Sequence, residues 1–195
     1  MMNATSTFFL RAKQWQIFAL LAVLPMAAQM ALALSMPMTV RSWKEFSRVD
    51  LLFVGAMLFY MLCFLAWLWS LGSFLNSIVK PALKLRTAFF HFSAVYPAIY
   101  MPFFLSVFFN QKPSPLAVIL PLHLSAMFCI FYLLRFASKT LALAETGKPV
   151  SFYDYAGPFF LMWFYPIGVW IVQPRVNRLY AERGSSEPPT TLTAG

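Results

Sequence analysis

Charge is distributed along these 195 residues so sparsely and so unevenly that it dictates the architecture. Fifteen Lys and Arg and six Asp and Glu leave five intervals with no charged side chain: 14–40, 51–79, 87–111, 113–134 and 155–174. A helix rises about 1.5 Å per residue and the hydrocarbon layer of a bilayer is about 30 Å thick, so about 20 apolar residues make one crossing. Every interval reaches that length, the fifth only just. Hydrophobic residues make up 61% of the chain and charged ones 11%, whereas a soluble domain carries roughly 25% charge. So few charges cannot form a polar shell around 22 Phe, 11 Met, 8 Tyr and 6 Trp. The predicted fold class is all-α, a polytopic membrane helical bundle forming a single domain over 1–183.

Lys and Arg collect on the cytoplasmic side of short loops, and this bias decides how often the chain crosses. Five crossings from a cytoplasmic N-terminus place eight cations inside and seven outside, which is no bias. If the fifth segment enters and returns on one side, the inner side also gains Arg175, Arg178 and Arg183. It then holds eleven, and only Arg41, Lys44, Arg48 and Lys112 lie outside. The expectation is therefore four transmembrane helices, at about 14–35, 51–79, 87–109 and 115–135, plus a re-entrant or kinked fifth hydrophobic segment over 155–174. The location expected is the cell membrane, multi-pass, with the N-terminus cytoplasmic. The first apolar run is too long for the core of a cleaved signal peptide and reads as an uncleaved helix.

Local punctuation refines these boundaries. Residues 1–10 read as a short lead-in, and Arg11, Lys13, Trp15 and Gln16 as an interfacial anchor. Ser42 with Glu45, and Ser47 with Asp50, are spaced like capping boxes ahead of the second helix. The third helix carries Pro97 and Pro102, and the fourth keeps helical polar spacing past Arg135 to a stop at Gly147-Lys148-Pro149. Ser151 with Asp154 offers another cap before the fifth segment. The tail 184–195 is poor in apolar residues and is expected to be disordered.

Few residues in the spans can carry chemistry. No Asp, Glu, Lys or Arg lies inside one, which argues against ion-coupled transport, where an ionisable group usually sits at mid-membrane. Gln29, Asn76, His91 and His123 form a candidate polar seam, with His91 about 7 Å and His123 about 18 Å from the inner boundary. Two His without nearby carboxylate or Cys partners make a poor metal site, and interhelical hydrogen bonding is the preferred role. Ser70, Ser73 and Ser77 share a face of the second helix, and Ala27, Ala31 and Ser35 a face of the first. Both faces read as sites of close helix approach. Cys63 and Cys129 stand singly as soft core residues. There is no HExxH, P-loop, GxGxxG or GxSxG, so no catalytic residue, metal or cofactor is assigned.

The most ordered punctuation lies in the C-terminal block. Tyr165-Pro166-Ile167-Gly168 follows an aromatic run, and Trp170 and then Gln173-Pro174-Arg175-Val176-Asn177 come after it. Over about 30 residues this block resembles the ending of small uncharacterised bacterial multi-pass membrane proteins; the resemblance implies a bacterial inner membrane and no activity. Asp154, Pro166, Gly168, Trp170, Gln173, Arg175 and Asn177 form a candidate interface motif. Pro166 and Gly168 permit a break between two short apolar arms, and broken backbone at membrane depth needs shelter from protein. Arg175 is expected to pair with Asp154 or with lipid phosphate.

These features favour a non-enzymatic accessory or assembly subunit of a membrane complex, or a homo-oligomer, docking through its basic face. The alternatives are a small pore or transporter built on the polar seam and, third, a membrane enzyme acting on lipid or isoprenoid. The expected partners are anionic headgroups of the bilayer and a membrane protein or second copy. The cations lie two or three at a time at helix ends, with no aromatic-interleaved patch for nucleic acid.

Overall fold

The computed structural model describes residues 4–35, 48–109 and 116–186, and all the regular structure in them is helical. In chain order the helices are α1 (Ala4–Arg11), α2 (Gln14–Phe18), α3 (Leu24–Ser35), α4 (Arg48–Ile78), α5 (Ala88–Phe109), α6 (Leu116–Thr146), α7 (Phe152–Trp163) and α8 (Tyr165–Ser186). Four stretches are long and apolar enough to cross a membrane: 14–31, 54–78, 88–107 and 117–146. The chain is an all-α bundle of membrane-protein character. The capping pairs expected at Ser42 to Ser47 lie outside the described residues.

The first span is one helical rod with a wide π turn at Ala19–Val23, where the Leu24 N–H bonds to the Ala19 carbonyl. That turn sits just ahead of Pro25, which has no N–H for an ordinary i−4 bond, and a π turn is a common way for a helix to absorb such a gap. Ala27 and Ala31 are exposed, so the small-residue face expected to pack here is uncovered in the monomer. The lead-in expected over 1–10 is instead helix α1, which packs against α4 and α8 with Phe9 and Leu10 buried. Eight residues without a strong capping signal carry too little periodicity to announce a helix; tertiary burial stabilises it.

Helix α4 occupies the centre. Trp67, Leu68, Leu71, Phe74 and Leu75 are buried in a core that also takes Phe90 from α5, Leu133 and Leu141 from α6 and Met162 from α7. Helices α5 and α6 run antiparallel, as the contacts Phe89–Tyr132 and Tyr100–His123 require. At 31 residues, α6 is about 46 Å long and exceeds a 30 Å hydrocarbon layer by several turns. It ends as expected at Gly147, whose φ of +62° is the left-handed cap conformation that glycine adopts without strain. Lys80 Nζ donates to the Gly147 carbonyl at 3.1 Å and ties the ends of α4 and α6 together.

The fifth hydrophobic segment is a helical hairpin. Ser151 N–H donates to the Asp154 carboxylate at 2.6 Å, which starts α7 with the expected cap. The helix breaks at Phe164 (φ −88°, ψ 54°) and α8 begins one residue later. Pro166 falls in the first turn of α8, where its missing N–H costs nothing; the break therefore precedes the proline. Twelve residues of α7 span about 18 Å, too short for a crossing. By Arg175, α8 has returned to the level of Glu145, seven residues ahead of α7. Helix α8 extends through Gly184 to Ser186, past the expected start of the tail; 187–195 lie outside the described residues.

Candidate functional site

Helix α8 runs side by side with α4 in a constant register. Trp67 meets Gln173, Phe74 meets Tyr180 and Ser77 meets Arg183, each pair 106 residues apart in the chain. At the hairpin tip the Tyr165 ring packs on Tyr60 and Phe64. The tip thus reaches the middle of α4, and the rest of α8 descends to the end of the bundle that holds α1, the α4–α5 turn and the α6–α7 turn. Arg11, Lys80, Lys84, Arg86, Lys148, Arg175, Arg178 and Arg183 belong to that basic end.

Gln173 organises this region. Its side chain is fully buried and every polar atom is paired. Oε1 accepts the Trp67 indole N–H at 3.1 Å. Nε2 donates to the Phe9 carbonyl at 2.7 Å, to the Ala12 carbonyl at 3.3 Å and to Asn177 Oδ1 at 3.0 Å. Asn177 Nδ2 donates to the Ala12 carbonyl at 3.1 Å. The last carbonyls of a helix lack internal donors, so Gln173 and Asn177, one turn apart on α8, cap the end of α1 and fix its elbow with α2. The two amides of the Gln-Pro-Arg-Val-Asn string bind the elbow between α1 and α2, and of the three residues between them Arg175 faces elsewhere.

Arg175 points to α6. Its Nε donates to Glu145 Oε1 at 2.8 Å, its NH2 group bonds the other carboxylate oxygen, and Arg178 approaches the same carboxylate at 3.8 Å. The expected partner, Asp154, is occupied in capping α7, so the pairing is corrected to Glu145. Thirty residues separate Glu145 from Arg175, and no local spacing links them. The Glu145 hydrogen bond raises the Arg175 pKa above its usual high value. The Asp154 carboxyl is held below its usual range, first by the Ser151 hydroxyl and then by the Ser151 N–H.

Two further members of the candidate motif shape the hairpin. Gly168 lies against the backbone of Leu161, and a Cβ placed on it would stand 1.6 Å from the Leu161 carbonyl oxygen. Trp170, half-exposed, packs on Phe18 of α2 at 5.6 Å between ring centroids.

Three of the four members of the candidate seam engage separate partners within the bundle. Asn76 brackets the α4–α5 turn: its Nδ2 donates to the Leu85 carbonyl at 3.1 Å and its Oδ1 accepts the Leu85 N–H at 2.9 Å. His91 Nδ1 accepts the Trp69 indole N–H at 3.0 Å. His123 Nδ1 lies 3.3 Å from the Tyr100 hydroxyl. Gln29 is exposed on α3. No hydrogen bond joins any two of the four. Cys129 is buried and Cys63 half-buried, both as free thiols. Ser70 and Ser93 are buried with hydroxyls that have no hydrogen-bond partner, and Ser77 is exposed and bonds back to the Phe74 carbonyl. Among the described residues no three His, Cys, Asp or Glu side chains gather as a metal site.

No protein-family model, curated protein or solved structure matches this chain.

Proposed function

We propose that this chain is a non-enzymatic membrane subunit that acts by assembly, with a larger membrane complex or with further copies of itself, and that its basic end faces the cytoplasm. One observation carries the reading: apart from the unpartnered hydroxyls of Ser70, Ser73 and Ser93, the polar side chains discussed above hold the chain's own elements together. Gln173 and Asn177 cap α1, Asn76 clamps a turn, and Arg175 pairs with Glu145. A substrate pathway or an active site needs polar groups that converge and stay unsatisfied until ligand arrives. His91 and His123 are each bonded within the bundle, which supports a packing role over a pore or a lipid-modifying enzyme. Exposed apolar side chains on α3, such as Met26, Met30 and Leu34, give a partner helix somewhere to pack. The resemblance of the C-terminal block to bacterial membrane proteins supports a bacterial inner membrane.

Extraction in a mild detergent, followed by mass measurement of the intact particle, tests the proposal. A particle containing a second polypeptide, or several copies, is expected. A lone chain across detergents and concentrations would reject it.

A further inference from the structure

We infer that the outer seam between α5 and α6 is a binding site for an anionic phospholipid. Its headgroup is held by Arg86, Arg135 and Lys139, and one acyl chain lies along the groove from Phe92 to Phe103.

Phe128, Tyr132, Arg135 and Lys139 recur at i, i+4, i+7 and i+11 and so share one face of α6. On α5, Phe89 places its ring edge-on to Tyr132 at 4.6 Å and 6.3 Å from Phe128. The two helices are antiparallel, so Arg86, three residues before Phe89, and Arg135, three residues after Tyr132, both stand on the basic-end side of that ring contact. Arg86 and Arg135 are exposed and Lys139 is half-buried. Among the described residues none of the three cationic side chains is in an ion pair or hydrogen bond. The carboxylates described at this end are taken: Glu145 by Arg175 and Arg178, Glu182 by Arg178 and Asp154 by Ser151. The cluster therefore presents uncompensated positive charge.

On the other side of the same ring contact the surface is apolar and grooved. The rings of Phe89, Phe92, Tyr96 and Tyr100 follow one another at 5.8, 5.7 and 6.1 Å. A groove of about 360 Å³ is lined by Phe92, Tyr96, Ile99, Tyr100 and Phe103 with Leu122 of α6. Both tyrosine hydroxyls are turned to protein partners, Tyr96 to the Leu122 carbonyl and Tyr100 to His123. From Phe92 to Phe103 the groove follows eleven residues of helix, about 16 Å, and it begins six residues, about 9 Å, past Arg86, so it takes the far part of a chain whose head lies at the cations. Cations at the membrane surface and an apolar groove further along the same two helices match one molecule with a negative head and a chain attached. A second copy would bring like charges to the mouth, and a soluble anion would leave the groove unfilled.

The inference rests on the proposed placement of the basic end at a membrane surface. The full-length protein is reconstituted in phosphatidylcholine bilayers with or without phosphatidylglycerol, extracted gently, and weighed with its retained lipid by native mass spectrometry. Retention of phosphatidylglycerol is expected to exceed that of phosphatidylcholine. In R135Q/K139Q it should fall roughly tenfold or more, as two interfacial cations are lost. The charge-matched K13Q/K148Q should retain it as the native chain does, and glycerol phosphate in solution should not displace it. Helicity measured by circular dichroism confirms that each variant is folded. Equal losses in the two variants would remove the site and leave a general attraction of the basic end. No preference for the anionic lipid, or full displacement by glycerol phosphate, would overturn the inference. Failure of the native protein to enter bilayers at all would instead strike at the membrane placement.

Discussion

Gly168 and Leu161 touch so closely that no side chain fits between them: a Cβ on Gly168 would lie 1.6 Å from the Leu161 carbonyl oxygen. Seven residues and the break at Phe164 separate the two, so this contact lets α8 fold back along α7. Gly168→Ala should open the hairpin and cost about 3 kcal/mol or more, since backbone offers no flexible atom to move aside. Gly157→Ala, where a Cβ would meet nothing within 4 Å, should be neutral or stabilising by up to about 1 kcal/mol. Thermal denaturation of the two variants in one detergent checks the contrast; equal midpoints would refute the close contact.

Gln173→Leu removes a side chain that satisfies the Trp67 indole, the Phe9 and Ala12 carbonyls and Asn177. The groups left behind are buried, and the expected loss is about 2–4 kcal/mol. Asn177→Leu leaves fewer orphans and should cost less. Amide exchange should rise in α1 and the lower half of α8 in Gln173→Leu, with α5 protected as before. A uniform rise over the whole chain would mean general unfolding and not a freed elbow.

Arg175→Lys replaces a two-pronged contact to Glu145 with a point charge. The pair is partly exposed, so solvent screening limits the expected loss to about 1–2 kcal/mol. A double-mutant cycle with Glu145→Gln measures it. A coupling energy near zero would show that the pair contributes only position.

Acid should loosen the start of α7. The folded-state pKa of Asp154 is depressed by Ser151, so its contribution is present above the unfolded value, about 3.9. It is lost as pH falls through the lower folded value. Proteolysis of the 147–152 connection should accelerate below about pH 4, and Asp154→Asn should be cut at a rate that changes little over the same window. An identical pH response in both proteins would dismiss the cap.

The hairpin also requires the residues that precede the first span and those that follow the fifth segment to share a compartment. With Cys63 and Cys129 replaced by Ser, single cysteines at Lys13 and at Ser185 should react with an impermeant reagent from the same face of sealed vesicles. Labelling from opposite faces would show that 155–174 crosses.

Much of this protein was decided by local physics and is legible in its sequence. Four apolar stretches become helices because unpaired backbone cannot be carried into hydrocarbon. Gly147 stops α6 and Ser151 with Asp154 starts α7 because caps act over three or four residues. The excess of cations at one end pointed to a fifth segment that returns, and the hairpin at Phe164 has that shape. Only the tertiary structure could assign partners. Gln173 finds Phe9 across 164 residues and Trp67 across 106, and Arg175 finds Glu145 across 30. No periodicity links such positions, since each pairing depends on which helices become neighbours. Helix α1 is illegible for the same reason: on its own it is two marginal turns, and it is stable because α4 and α8 bury its Phe9 and Leu10.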